Sequence, residues 1–303
     1  MPLSYFQCSD CGQCFEPDQV TYNCLTCGGN LDAHFSFEAN PHEVDQTNIL
    51  QSNEASVWRY APLLAAPNPG FRTTPLHQVG FTPIYQPESL RKSLGIQELW
   101  IKDESRNPSA SFKDRASALV IAHAIEANFK TMIAASTGNA GAAMACIAAS
   151  VGKKAVVVAP RSAPPAKVSQ LLTFGAKVVL VDGTYDQAFD LSIKASREYG
   201  WYNRNTGYNP YTLEGKKTAG LEIWEQVLLK RKNSAPNLTI FIPVGDGNIL
   251  SGLAKGFADL QSLGWIEKLP RLVGVQAEGS AAIYNAFKTG KDMIDPVNAK
   301  TIA

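Results

Sequence analysis

The stretch TMIAASTGNAGAAMACIAASVGKKAVVVAP, Thr131 to Pro160, decides the fold. It opens with a short apolar run, crosses a turn of small polar residues, STGN, and continues from about Ala140 as an Ala-rich segment of helical length. It closes on a second apolar run, KAVVVAP. Strand, helix and strand in that order predict parallel pairing, with helices covering both faces of the sheet.

The alternation extends in both directions. Before it stands ELWIK, then a helix from about Asp114. After it come PAKVSQLLTFG as helix, KVVLVD as strand, helices over Asp186 to Tyr199 and Gly215 to Leu229, LTIFIPV as strand, a helix over Ile249 to Leu263, and RLVGVQ as strand. The chain reads as α/β, and in open parallel sheets ligands bind beyond the carboxyl ends of the strands.

A length of 303 residues with 45% hydrophobic composition allows a sizeable core, and about two domains. Lys and Arg total 28 against 27 Asp and Glu, a formal charge of +1. That balance offers no general attraction to nucleic acid or to an anionic membrane. The opening MPLSYFQCSDCG has neither the basic nor the apolar region of a signal peptide. The most apolar helical stretch, Ala140 to Val151, is well short of the ~20 residues that span a bilayer. These features predict a cytoplasmic protein.

Four of the six cysteines form two C-x2-C pairs, Cys8 and Cys11, then Cys24 and Cys27, separated by twelve residues and each followed by glycine, Gly12 and Gly28. Glycine lets the backbone turn tightly around an ion, and four thiolates satisfy tetrahedral Zn²⁺. Residues 1–37 therefore read as a zinc ribbon in which metal replaces a core too small to form. The alternatives are two disulfides, which a reducing compartment disfavours, or a site that has lost its metal. Cys14 is a spare thiol, and Cys146 reads as a packing residue of an Ala-rich helix. No Lys or Arg occurs before residue 38, which speaks against a nucleic-acid-binding ribbon on a silent body. Residues 38–72, with His42, Trp58 and Arg59 and a Pro-rich end, read as a linker or docking arm.

Three loops carry the chemistry. KDESRNPSASFKDR, Lys102 to Arg115, brings Lys113 to a helix start, where the terminal field disfavours positive charge and favours a nucleophilic amine. ASTGNAGAA puts Ser136, Thr137, Gly138 and Asn139 at a helix N-terminus, a turn suited to a carboxylate or phosphate. PVGDGNILSG places Gly245, Asp246, Gly247, Asn248 and Ile249 between strand and helix, where two glycines allow close approach to an anion. Taken singly, the first is also the pattern of a solvated lysine and the second that of an ordinary N-cap. Neither the G-x-G-x-x-G spacing of a dinucleotide site nor the Walker pattern is present.

Together with NPYTLEGKKTAGLEI, these motifs resemble, in order and spacing, the threonine synthases among the tryptophan synthase β-like, fold type II enzymes of pyridoxal phosphate (PLP). The likeness runs from about Thr73 to the end. It implies two doubly wound parallel-sheet domains, the smaller over 106–204 and the larger over 73–105 and 205–303, and a homodimer. By the resemblance, Lys113 is the catalytic lysine that holds PLP, with Phe112 before it. Asn139 contacts the phenolic oxygen of the cofactor ring, and Gly245, Asp246, Gly247, Asn248 and Ile249 surround its phosphate. Ser136, Thr137 and Ala140 line the pocket for the substrate carboxylate. The implied reaction converts O-phosphohomoserine and water to threonine and phosphate. Related PLP-dependent lyases and synthases share the chemistry: threonine dehydratase, diaminopropionate ammonia-lyase, or an enzyme acting on O-phosphoserine with sulfite.

Two departures stand out. Thr212 occupies a position where many threonine synthases carry an arginine for the substrate phosphate, and Lys167, Arg204, Lys216 and Lys217 are the cations that could replace it. The resemblance also stops at KTIA, where family members continue, so the chain reads as truncated before the part that usually faces the pyridine nitrogen.

Overall fold

The computed structural model describes residues 3–37, 44–231, 238–297, 299 and 301. The chain divides into two compact units, Met1–Gly215 and Lys216–Ala303.

The first unit begins with a three-stranded antiparallel ribbon, β1 (Leu3–Cys8), β2 (Cys14–Phe15) and β3 (Leu31–Phe35), in the order β2-β1-β3. Phe6, Leu31 and Ala33 are buried, in one apolar cluster with Ala118, Leu119 and Met132 of the body. The ribbon thus shares the body's core, where the sequence led us to expect metal alone. The first six residues of the expected docking arm, 38–43 with His42, lie outside the described residues. The rest is packed: after α1 (Gln46–Gln51) a 3-10 segment, Val57–Leu63, buries Val57, Trp58 and Tyr60. The Arg59 guanidinium donates to the carbonyls of Leu50, Ser52 and Glu54.

β4 (Ile84–Tyr85), α2 (Glu88–Ser93) and β5 (Ile101–Lys102) follow. The expected strand ELWIK shrinks to β5, which pairs antiparallel with β4 and has no place in the parallel sheet. The lysine loop therefore leaves a small hairpin rather than a central strand.

The main layer comprises α3 (Lys113–Glu126), β6 (Thr131–Ala135), α4 (Asn139–Ser150), β7 (Lys154–Pro160), α5 (Pro165–Thr173), β8 (Lys177–Val181), α6 (Tyr185–Tyr199) and β9 (Tyr202–Asn203). The sheet runs β8-β7-β6-β9 with every pair parallel. Successive side chains alternate faces. Met132, Ala134 and Val157 join Ala142 and Ala145 of α4, whereas Ile133, Val156 and Val158 join Ala188 of α6. Helices therefore cover both faces, as the alternation required. Small residues let α4 lie close to the sheet: a methyl on Gly141 would come within 3.1 Å of Ser136 and 3.2 Å of Val157. A capping box between Thr184 and Gln187 starts α6, and Gly200 in the left-handed conformation (φ 63°) ends it.

α7 (Tyr211–Ile223) starts four residues earlier than its sequence suggested and continues as a π-helical turn, Trp224–Leu228. Asn209 is the reason. Its side-chain oxygen accepts the Tyr211 N–H at 3.0 Å, with Pro210 between them, a favoured helix opening.

In the second unit β10 (Thr239–Val244) and β11 (Arg271–Gln276) pair in parallel along their whole length, with α8 (Asn248–Ser262) between them in sequence and α9 (Ala282–Thr289) after. No described helix is long and apolar enough to cross a membrane.

Candidate active site

Lys113 is the first residue of α3 and is half-buried. The turn before it is braced from below. Arg115, with no exposed surface, grips Glu104 through Nε and Nη2, both at 2.7 Å, and its Nη2 also reaches the Thr82 hydroxyl at 3.1 Å. Asn107 donates to the Glu104 carboxylate at 2.9 Å and accepts the Gly80 N–H at 2.9 Å. Ala110 has a left-handed φ of 56°, strain that persists only where the surroundings enforce it. Asp114 accepts the Ser109 N–H at 2.8 Å, closing the loop around Lys113. Burial pushes the Asp114 carboxyl up to about 6, against the opposing pull of its Ser109 bonds. Neither Glu104 nor Arg115 was singled out from sequence, although both flank the lysine within one motif.

At the carboxyl end of β6 the Ser136 hydroxyl is committed to its own turn. It accepts the N–H groups of Gly138 at 3.1 Å and Gly141 at 2.9 Å. Among the described residues the N–H groups of Asn139 and Ala140 have no acceptor. These two donors at the start of α4 are what the turn offers an anion, so Ala140 would serve through its backbone. Thr137 is half-buried, and the exposed Asn139 accepts from Lys167 at 2.8 Å.

The glycine-rich turn lies in the second unit, at the carboxyl end of β10. Gly247 has φ 82°, which a side chain would strain. The Asp246 carboxylate accepts the Asn248 N–H at 3.1 Å, so it caps α8 and offers an anion no donor. The N–H groups of Gly247 and Ile249 have no acceptor among the described residues. A methyl on Gly245 would meet nothing within 4 Å, and the same holds at Gly138. Each taken by itself, the amine at a helix start suits the aldehyde of PLP, and a turn with open donors and open space suits its phosphate.

Thr212 is fully buried, and its hydroxyl donates to the Asn209 carbonyl at 2.7 Å. Of the candidate cations, Arg204 is buried against Ser117 and Thr206, and Lys217 is buried with Asp259 at 3.0 Å. Lys216, also buried, donates to Asn248 at 2.6 Å beside the glycine-rich turn. Lys167 alone of the four retains exposure.

In the ribbon the four thiols of Cys8, Cys11, Cys24 and Cys27 lie within 4.8 Å of one another, with Cys8 to Cys27 at 3.5 Å and Cys11 to Cys24 at 3.6 Å. A Zn²⁺ tetrahedron has sulfur–sulfur edges of about 3.8 Å. The two halves match: Gly12 donates to the Cys8 carbonyl and Gly28 to the Cys24 carbonyl, while Asp10 and Thr26 N–H groups reach Sγ of Cys8 and Cys24 at 3.4 Å. None of the six cysteines is disulfide-bonded, and Cys14 is exposed.

The family described as pyridoxal-phosphate dependent enzyme matches residues 76–303. The chain belongs to that family. Among curated relatives it is 36% identical to the threonine synthase of Methanocaldococcus jannaschii, over 98% of this chain and 71% of that one. It is also 36% identical to the threonine synthase of Methanosarcina acetivorans, over 99% of this chain and 72% of that one. Among solved structures it resembles maize serine racemase, with a TM-score of 0.63 and 25% identity over 75% of this chain and 66% of that one. A threonine deaminase from T.th. gives a TM-score of 0.60 and 29% identity, over 72% of this chain and 66% of that one. The fold is accordingly that of the α/β, fold type II PLP enzymes.

Proposed function

We propose that the protein is a threonine synthase, converting O-phosphohomoserine and water to threonine and phosphate. The observation that carries this reading is the 36% identity to two archaeal threonine synthases over nearly the whole chain. Lys113 would hold the cofactor, and its amine would take and return the proton at the substrate Cα. PLP, when bound, supplies the electron sink for charge developing beside the substrate nitrogen. The Asn139 and Ala140 N–H groups, with Ser136 and Thr137 shaping the turn, hold the substrate carboxylate and so fix the direction of the Cα–H bond. Asn139 would also contact the cofactor ring. Gly245, Gly247 and Ile249 receive the cofactor phosphate on backbone donors, while Asp246 and Asn248 hold that turn in shape.

The ribbon binds a structural zinc through Cys8, Cys11, Cys24 and Cys27, a reading supported by the thiol spacing. Thiols kept free for a metal support the cytoplasm as its location. The substrate is a small phosphorylated amino acid, and the working form is a homodimer.

The cofactor-loaded protein should release threonine and phosphate from O-phosphohomoserine, read by mass spectrometry. Borohydride should fix the cofactor to the Lys113 peptide, and Lys113→Ala should abolish that adduct; fixation at another lysine would overturn the assignment. Thr212 favours a second reading, since its buried hydroxyl cannot replace a guanidinium on a substrate phosphate. Turnover of threonine or diaminopropionate, with none of O-phosphohomoserine, would decide for a sister lyase.

A further inference from the structure

Three buried asparagines outside the chemistry above join the ribbon to the turn that opens α4. β9 is the edge strand of the parallel sheet and pairs with β6 only at Met132 with Tyr202 and Ile133 with Asn203. Its outer side is covered by the ribbon. The Asn203 N–H donates to the Tyr22 hydroxyl at 2.9 Å, and the Tyr22 ring lies 5.7 Å from Tyr202 and stacks on Tyr208 at 4.6 Å. The hydroxyl thereby satisfies an edge donor that aromatic rings could not.

From Asn203 the bonding runs inward. Its side-chain oxygen accepts the Asn205 N–H at 2.8 Å, and the Asn205 side-chain oxygen accepts the Ala135 N–H at 2.7 Å. The Asn205 side chain thus continues the ladder to β6 where β9 has ended. Its amide nitrogen is fixed on Ser192 at 2.8 Å, and Asn209 holds the Asn203 carbonyl at 2.8 Å. Asn203 and Asn209 are 0% exposed and Asn205 is 2% exposed, so water does not substitute for these bonds. Ala135 is the residue before Ser136, whose hydroxyl organises the turn.

We infer that Tyr22 is a positioning residue for the Ser136–Ala140 turn, acting through Asn203 and Asn205. The inference rests on the reading that this turn takes the substrate carboxylate. Without the Tyr22 hydroxyl, a buried N–H loses its acceptor at one end of a bonded series whose other end is Ala135. The ribbon is then part of the substrate site's support, beyond capping the body.

The test is Tyr22→Phe in the full, cofactor-loaded chain, which keeps the ring stacking and removes only the hydroxyl. Hydrogen exchange at Ala135 and Ser136 should accelerate about fivefold to tenfold, and KM for the amino-acid substrate should rise by a similar factor with kcat within about twofold. Cofactor retention should not change. Wild-type exchange at Ala135 overturns the inference whatever happens to KM, and so does faster exchange with KM unmoved. If Tyr22→Leu is impaired in both readouts while Tyr22→Phe matches wild type, the ring is responsible and the hydroxyl relay is wrong. Exchange is read whether or not O-phosphohomoserine turns over, so accelerated exchange in an enzyme inactive on that substrate would sink the proposed reaction and leave the relay standing.

Discussion

Beside Lys113, Asp114 is a carboxyl with no exposed surface whose pKa burial raises to about 6. An unfolded chain binds that proton only below about 4. The folded state therefore holds it more tightly, and the stability this group contributes is present near pH 4 and lost as pH rises through 6. The difference amounts to about 3 kcal/mol. In Asp114→Asn this downward slope should vanish, so urea midpoints of variant and wild type should diverge between pH 4.5 and 7. Parallel midpoints would mean that the carboxyl is not desolvated. His123 is neutral for the same physical reason: burial pushes it down to about 4, and it stacks on Tyr211 at 4.0 Å with Nδ1 2.7 Å from the Tyr202 hydroxyl. It is a half-buried packing residue with no charge to give at neutral pH.

Where two helices of the second unit meet, glycine does different work from glycine in a turn. Gly252 and Gly256 stand one turn apart on α8, and a methyl on Gly256 would come 2.6 Å from the Lys217 carbonyl of α7. Backbone cannot give way as a side chain can, so Gly256→Ala should cost about 1–3 kcal/mol in a denaturant titration. Gly245→Ala should behave in the opposite way. Its methyl enters open space, so stability should hold while PLP retention on dialysis falls if, as proposed, the cofactor phosphate takes that space. Unchanged retention would remove Gly245 from the cradle.

Elements of this kind also mark what could be read from the sequence. The runs of β6, β7, β8, β10 and β11 were legible because each is a short apolar run, although only β6 and β7 are buried on both faces. The start of α7 has its signal in Asn209 and Pro210, four residues or more before Gly215. β9 was not legible, since two residues carry no periodicity. The pairing of Glu104 with Arg115, and the bond from the Ala135 N–H to Asn205, join groups on separate segments that only folding brings together. Nothing local to a loop says which distant group its side chain will meet.

For the molecule as a whole, the ribbon's apolar side chains enter the same cluster as the body's, so the proposed zinc site would support more than its own knuckles. Structural zinc sites of this kind contribute on the order of 10 kcal/mol. Chelation should raise the number of thiols that react with Ellman's reagent by the four of the cluster, Cys8, Cys11, Cys24 and Cys27, and should lower the melting temperature. Thiol reactivity unaffected by chelation would mean that no metal is held there.

Tyr22 and Asn203 lie 181 residues apart in the chain. During synthesis at about 5–20 residues per second, Asn203 is made roughly 10–40 s after Tyr22. Through that interval the Tyr22 side of the ribbon lacks its partner, although Ala118, Leu119 and Met132 of the shared core are made earlier. A face that must wait so long for its partner has to keep its shape meanwhile, and four thiolates closing on an ion would give so short a stretch a way to do it.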